Sequence, residues 1–246
     1  MVSRVFCTIG WLAAGMSVVP AQENVMRPAA SAMATAAPVA LQFVSLTAFD
    51  FRALLPEPPA VGSIAAQADL EAVLQVQAWR TPEQVAWALQ VEKDSVFYHA
   101  EILGGWFRAE RLPLTTGFFQ RLADDMRALD GAAKKPFLRP RPMTIDRRVE
   151  PCVTMPTSTS YPSGSGMQAF VWAQLLAEAV PAKRDALIAR AHRAAWGRVI
   201  GGVHFPSDVV AGARLADAYL AEARKNAAFR EAWAAARDEI AVRAAG

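Results

Sequence analysis

Six prolines fall between residues 136 and 162, at Pro136, Pro140, Pro142, Pro151, Pro156 and Pro162. Proline lacks a backbone donor and clashes with the preceding helical turn, so residues 130–163 cannot form one continuous helix. On both sides of this interval the pattern is helical. Apolar residues recur three and four positions apart, as in Leu70, Val73, Leu74 and Ala78, or Phe170, Trp172, Leu175 and Leu176. The spacing predicts helices over about 63–79, 82–103, 114–129, 164–180, 182–199, 206–225 and 227–243. Thr81-Pro82-Glu83 is a helix start: a capping hydroxyl, proline at the first helical position, then an acid in the first turn. Strand signals are nearly absent. The expected fold is all-α, a compact bundle of about seven helices with a functional site at its loops and helix N-termini.

A long irregular segment inside a compact domain is functional or disordered. The charge on this one points to function. Lys134, Lys135, Arg139, Arg141, Arg147 and Arg148 crowd together with only Asp130, Asp146 and Glu150 against them.

The first 60 residues read differently. Residues 1–21 begin with Arg4, continue through an apolar run from Val5 to about Val19, and end in Val19-Pro20-Ala21. This is the form of a secretory signal peptide cleaved after Ala21, giving a periplasmic or secreted protein with no integral membrane span after cleavage. Cleavage removes Cys7 and leaves Cys152 alone, so the mature chain has no internal disulfide. It also removes Arg4, and 25 basic side chains then face 23 acidic ones, a balance that marks no nucleic-acid surface. Three histidines, His99, His192 and His204, with one cysteine are a poor supply for a Cys/His metal site. Residues 22–60 are rich in Ala and Pro and read as an extended arm, pinned in places by Phe43, Phe49, Phe51 and Leu54. The helical domain is expected over residues 61–246. The charged, Ala-rich run Arg230 to Arg243 reads as a solvated amphipathic helix, with homo-oligomer formation as its alternative use.

Chemistry gathers in three blocks. The first holds Lys134 and, seven residues later, Arg141-Pro142; the second is Tyr161-Pro162-Ser163-Gly164-Ser165; the third runs from Gly197-Arg198 to His204-Phe205-Pro206-Ser207-Asp208. If Pro206 opens a helix, His204 stands at its mouth and Asp208 lies in its first turn. A carboxylate there can accept the proton of one ring nitrogen and leave the other as acceptor or nucleophile. Lys134, Arg141 and Arg198 are fixed cations, and the Ser163-Gly164 helix start offers a hydroxyl, backbone N–H groups and close approach to an oxyanion. Taken singly, each block has an ordinary structural explanation.

In this order and spacing the blocks resemble the type 2 phosphatidic acid phosphatase (PAP2) superfamily, which includes the bacterial class A non-specific acid phosphatases and the vanadium haloperoxidases. The family pattern is Lys-x6-Arg-Pro, Pro-Ser-Gly-His and Ser-Arg-x5-His-x3-Asp. The similarity spans about residues 60–240 and looks most like the soluble acid phosphatases. It implies that His204 attacks phosphorus to form a phosphohistidine, with Asp208 orienting it. It further implies that Lys134, Arg141, Ser163, Gly164 and Arg198 hold the phosphoryl oxygens, without cofactor or metal. Small phosphomonoesters would be substrates, and inorganic phosphate or vanadate would be oxyanion ligands. Two positions depart from the pattern. Gly197 replaces the serine before Arg198, and Ser165 replaces the histidine that serves the family as general acid. Three readings follow: an acid phosphatase favouring leaving groups that depart unprotonated, a catalytically impaired phosphate-binding protein, and, third because it depends on the histidine absent at 165, a haloperoxidase-like protein. A recruited acid would have to be His99 or His192 among the histidines.

Overall fold

The computed structural model describes residues 41–93 and 95–244. The proposed signal peptide, Cys7 and residues 22–40 lie outside the described residues. Among those described there is no strand, and seven helices exceed a single turn: α1 (Ile64–Trp79), α2 (Pro82–Glu92), α3 (Pro113–Lys134), α4 (Gly164–Ala179), α5 (Arg184–Ile200), α6 (Pro206–Ala223) and α7 (Ala227–Ala244). None of the described helices is long and apolar enough to cross a membrane.

The bundle is built on α4. Met167, Ala169 to Ala173 and Leu175 to Ala177 are all buried, so most of the circumference of α4 must be enclosed, and only a narrow edge with Gln174 and Glu178 reaches the surface. It packs against α5 and α6 and also touches α3 and α7; α7 lies along α3, and α2 along α5. The C-terminal helix turns Phe229, Trp233, Ala236 and Ile240 inward, a stripe at helical spacing, and leaves its charged residues outside except Glu239, which accepts the N–H and hydroxyl of Thr115 at the start of α3. Phe118 of α3 stacks on Trp233 with ring centroids 5.3 Å apart. Phe43 completes this cluster with its edge against Phe229 at 5.4 Å. The Asp125 carboxylate fixes the strap that carries Phe43, accepting the backbone N–H of Gln42 (2.6 Å) and of Phe43 (2.8 Å).

Two elements differ from the sequence expectation. The helix expected over 82–103 ends at Glu92 and is followed by a 3-10 turn, Val96–His99, and a single helical turn, Ala100–Leu103. The Ser95 hydroxyl accepts the N–H of Phe97 and offers the backbone an alternative to continued helix. The helix expected to end at 129 instead continues to Lys134. Gly131 is exposed with open space around it, while Leu129 and Ala133 on the inner face are fully buried and hold the last turn. Asp130 and Lys134 thus come one turn apart on one helix.

The proline-rich segment is pinned along its length. Ser160 N–H donates to the Arg139 carbonyl (2.8 Å), Ser163 N–H to the Asp208 carbonyl (2.9 Å), and Cys152 N–H to the Gly201 carbonyl (3.2 Å). These bonds tie the three sequence blocks to one another. Small cores lie beneath them: Val73, Val149, Val199 and Phe205 in one, Ala88, Val153, Ile200 and Val203 in the other.

Candidate active site

His204 occupies the turn between α5 and α6 and is 2% exposed. Its tautomer follows from its neighbours. Arg141 Nη1 lies 3.2 Å from Nε2, and a guanidinium can only donate, so Nε2 is the acceptor and the ring proton sits on Nδ1. Nδ1 faces Asp208 Oδ2 at 3.3 Å. Burial, opposed by the Asp208 carboxylate, pushes the His204 pKa down to about 4, so the imidazole is neutral at ordinary pH.

Asp208, in the first turn of α6, is completely buried. Its Oδ2 accepts the Phe205 N–H (2.8 Å), closing the helix start, and the Ser160 hydroxyl (2.5 Å). Burial works against its charge. Hydrogen bonds from His204 and Ser160 and the charge of Arg139 outweigh that penalty and hold Asp208 below the usual carboxylate range. Arg139 donates to Asp208 Oδ1 (2.7 Å), Ser207 Oγ (2.6 Å) and Asp69 Oδ2 (2.8 Å). Ser207 in turn donates to Asp69. The carboxylate behind His204 is therefore embedded in a buried ionic relay reaching to α1.

A cavity of about 300 Å³ opens in front of the imidazole, lined by Lys134, Arg141, Gly164, Ser165, Arg198 and His204 together with Asp130. Arg141 is anchored by carbonyls, Nε to Ser158 (2.6 Å) and Nη1 to Val203 (2.6 Å). Burial lowers its pKa to about 10, with Arg198 contributing, and it stays charged. Lys134 is buried, donating to Pro162 O (2.8 Å) and to Asp130. Burial lowers its pKa and Asp130 opposes that shift. Arg198 comes from the last turn of α5 and is 5% exposed. Ser163, fully buried behind Gly164, caps α4 by accepting the Gly166 N–H (3.1 Å). Gly164 and Ser165 form the first turn of α4, where backbone N–H groups lack intrahelical partners. Three cations, a helix start and a neutral imidazole whose unprotonated Nε2 meets Arg141 make a receptor for a tetrahedral oxyanion.

Residues 126–225 match the PAP2 superfamily. The match begins within α3 and ends just beyond α6, so it takes in all three blocks of the PAP2 pattern. The chain is 29% identical over 207 residues to a non-specific acid phosphatase of Providencia stuartii, covering 79% of this chain and 82% of that one. It is 28% identical over 195 residues to a non-specific acid phosphatase of Salmonella typhimurium, with 76% and 78% covered. The fold is also similar to that of an apo bacterial vanadium-dependent chloroperoxidase, with a TM-score of 0.52 at 14% identity, covering 82% of this chain and 55% of that one. At that identity the likeness concerns the fold alone.

The departures from the PAP2 pattern have distinct surroundings. Ser165 lines the cavity, and no histidine replaces the missing one. His99 is buried in the core, its Nδ1–H donating to the Val96 carbonyl, and burial lowers its pKa to about 3, so the ring is neutral and carries no acidic proton. His192 packs on Phe170 and lines a separate surface groove. At Gly197 a Cβ would meet Val91 Cγ2 at 3.0 Å, so the glycine lets α5 approach α2. Four residues of this architecture carry no sequence signal of their own: Asp69, Asp130, Arg139 and Ser160. Arg139 and Asp130 stood out only as charges in and against a basic crowd.

Proposed function

We propose that this protein is a phosphatase that hydrolyses small phosphomonoesters through a phosphohistidine on His204, and that residues 1–21 direct its export. The observation that carries the reading is the tautomer of His204. Asp208 faces the protonated nitrogen, and the nitrogen with the lone pair meets Arg141, which lines the same cavity as His204, Lys134 and Arg198. The acid phosphatase relatives and the PAP2 match support the same reaction class. In the first step Nε2 bonds to phosphorus as the bond to the leaving oxygen breaks. In the second, water attacks phosphorus, the P–N bond breaks, and inorganic phosphate leaves with the imidazole neutral again. The cations, with the first-turn amides of α4, stabilise the equatorial oxygens in both steps.

The test is steady-state hydrolysis of an aryl phosphate without added metal by the wild type and His204→Ala, with a base-quenched single turnover to trap the acid-labile phosphoenzyme. We expect turnover and a phosphorylated histidine in the wild type, and neither in the variant, which still binds vanadate. Full activity in His204→Ala refutes the nucleophile. Ser165 favours one second reading, an oxyanion-binding protein, which predicts vanadate binding with no turnover by the wild type. Halide oxidation with added vanadate would mark the haloperoxidase-like alternative.

A further inference from the structure

An alkoxide is a poor leaving group, so hydrolysis of an alkyl phosphate needs a proton delivered to the departing oxygen. A serine hydroxyl at 165 is too weak an acid to deliver it. Among the described residues lining the cavity, Arg127, Arg141 and Arg198 hold their protons too tightly, and His204 is the attacking group. Lys134 must stay charged to bind phosphate. Asp130 is the one carboxyl group in the lining.

Its position suits the task. Asp130 lies one turn before Lys134 on α3, and Lys134 Nζ donates to its Oδ1. Its carboxylate lies against Gly164 so closely that a Cβ there would collide with it. It thus sits at the start of α4, beside Ser165. His204, 2% exposed, forms the floor of the cavity, whereas the Asp130 side chain is 27% exposed and stands toward the mouth. In-line displacement sends the leaving oxygen away from the nucleophile, from floor to mouth.

We propose that Asp130 is the general acid and base of this cavity. The proposal rests on the phosphohistidine reading above. Lys134 and Arg127 on its own helix, Arg141 from the proline-rich segment, Arg198 from α5 and His204 all share the cavity with it. An entering phosphate dianion draws Lys134 onto its own oxygens and sets two negative charges beside the carboxylate, which favours the neutral acid. As Nε2 bonds to phosphorus and the ester P–O bond breaks, Asp130 gives its proton to the leaving oxygen, which departs as the alcohol. The carboxylate then takes a proton from the water that attacks the phosphohistidine. The P–N electron pair returns to His204, and the acid is restored.

The experiment compares kcat on an alkyl phosphate and on 4-nitrophenyl phosphate for the wild type, Asp130→Asn and Asp130→Asn with Ser165→His. Rates are expressed per vanadate-binding site, so that misfolded protein does not count. We expect Asp130→Asn to lose about 10²-fold or more on the alkyl ester, and less than about 10-fold on the aryl ester, whose leaving group needs no proton. Ser165→His should restore alkyl hydrolysis in the Asp130→Asn background. An unchanged alkyl rate, equal loss on both esters, or failure of Ser165→His to restore the alkyl rate assigns Asp130 to positioning Lys134 and overturns the proposal. A wild type that turns over neither ester refutes the phosphatase reading itself, and this proposal with it.

Discussion

Arg139 is held by a carboxylate on either side and an aromatic ring beneath it. Its guanidinium carbon lies 4.0 Å from the Phe205 ring centroid, between Asp69 and Asp208. All three charged groups are largely buried. Removing the central cation leaves two carboxylates uncompensated, and breaking a buried pair from one side costs about 3–5 kcal/mol. Arg139→Met should therefore destabilise by about that amount in urea unfolding, with part of it recovered in Asp69→Asn with Arg139→Met. A single variant that loses under about 1 kcal/mol, the range of exposed pairs, would show that this triad is hydrated in solution. Asp208 has a second role that Asp69 lacks, because it also receives the His204 proton. Arg139 therefore ties α6 to α1 and holds in place the carboxylate that faces the imidazole.

At the scale of elements, the site depends on how closely α6 crosses the start of α4. Gly212 makes that crossing possible: a Cβ there would sit 2.5 Å from the Ser163 carbonyl oxygen and 3.0 Å from the Met167 nitrogen, both backbone atoms that cannot swing aside. Gly212→Ala should cost about 1–3 kcal/mol from overpacking. Because Ser163, Gly164 and Ser165 move with that contact, kcat/KM should fall by at least about 10-fold, since a displacement of about 1 Å can cost 10²-fold. Gly131 on α3 provides the contrast: nothing lies within 4 Å of its Cβ position, and Gly131→Ala should stabilise by up to about 1 kcal/mol. Equal responses at the two positions would sink the close-crossing argument. The long helices were legible because periodicity and punctuation are local: Thr81-Pro82-Glu83 opens α2, and Pro206 opens α6. The break after Glu92 and the extension of α3 to Lys134 were not, since a serine hydroxyl and buried Leu129 and Ala133 decide them. The motif residues could be named because Lys134-x6-Arg141-Pro142, Pro162-Ser163-Gly164 and Arg198-x5-His204-x3-Asp208 keep a fixed order and spacing along the chain. Asp69 could not, because its meaning comes from Ser207, 138 residues away.

For the molecule as a whole, acid is the revealing variable. Of three histidines, His99 and His204 are buried and neutral, with pKa values lowered by desolvation to about 3 and about 4. The unfolded chain binds protons at both near the ordinary value of about 6.5, while the folded chain does not. Their contribution to stability is therefore complete above about pH 6.5 and is lost as pH falls toward 4 and then 3. Asp125 acts in the opposite sense: burial raises its pKa, so the fold gains as that carboxyl is protonated. Two groups shifted down across this window outweigh one shifted up, and the urea midpoint should fall between pH 6.5 and pH 4. For an aryl ester, whose leaving group needs no proton, formation of the phosphohistidine follows a different course, because it needs only a neutral His204. After allowance for the substrate's second ionisation, near pH 6, kcat/KM should persist well below 6.5 and fall only as pH passes below about 4. If the rate instead titrates away near 6.5, the imidazole is open to water and the buried-nucleophile argument fails. If it persists to about 4 while the urea midpoint declines, the desolvation that weakens the fold in acid is the same effect that keeps its nucleophile free of a proton there.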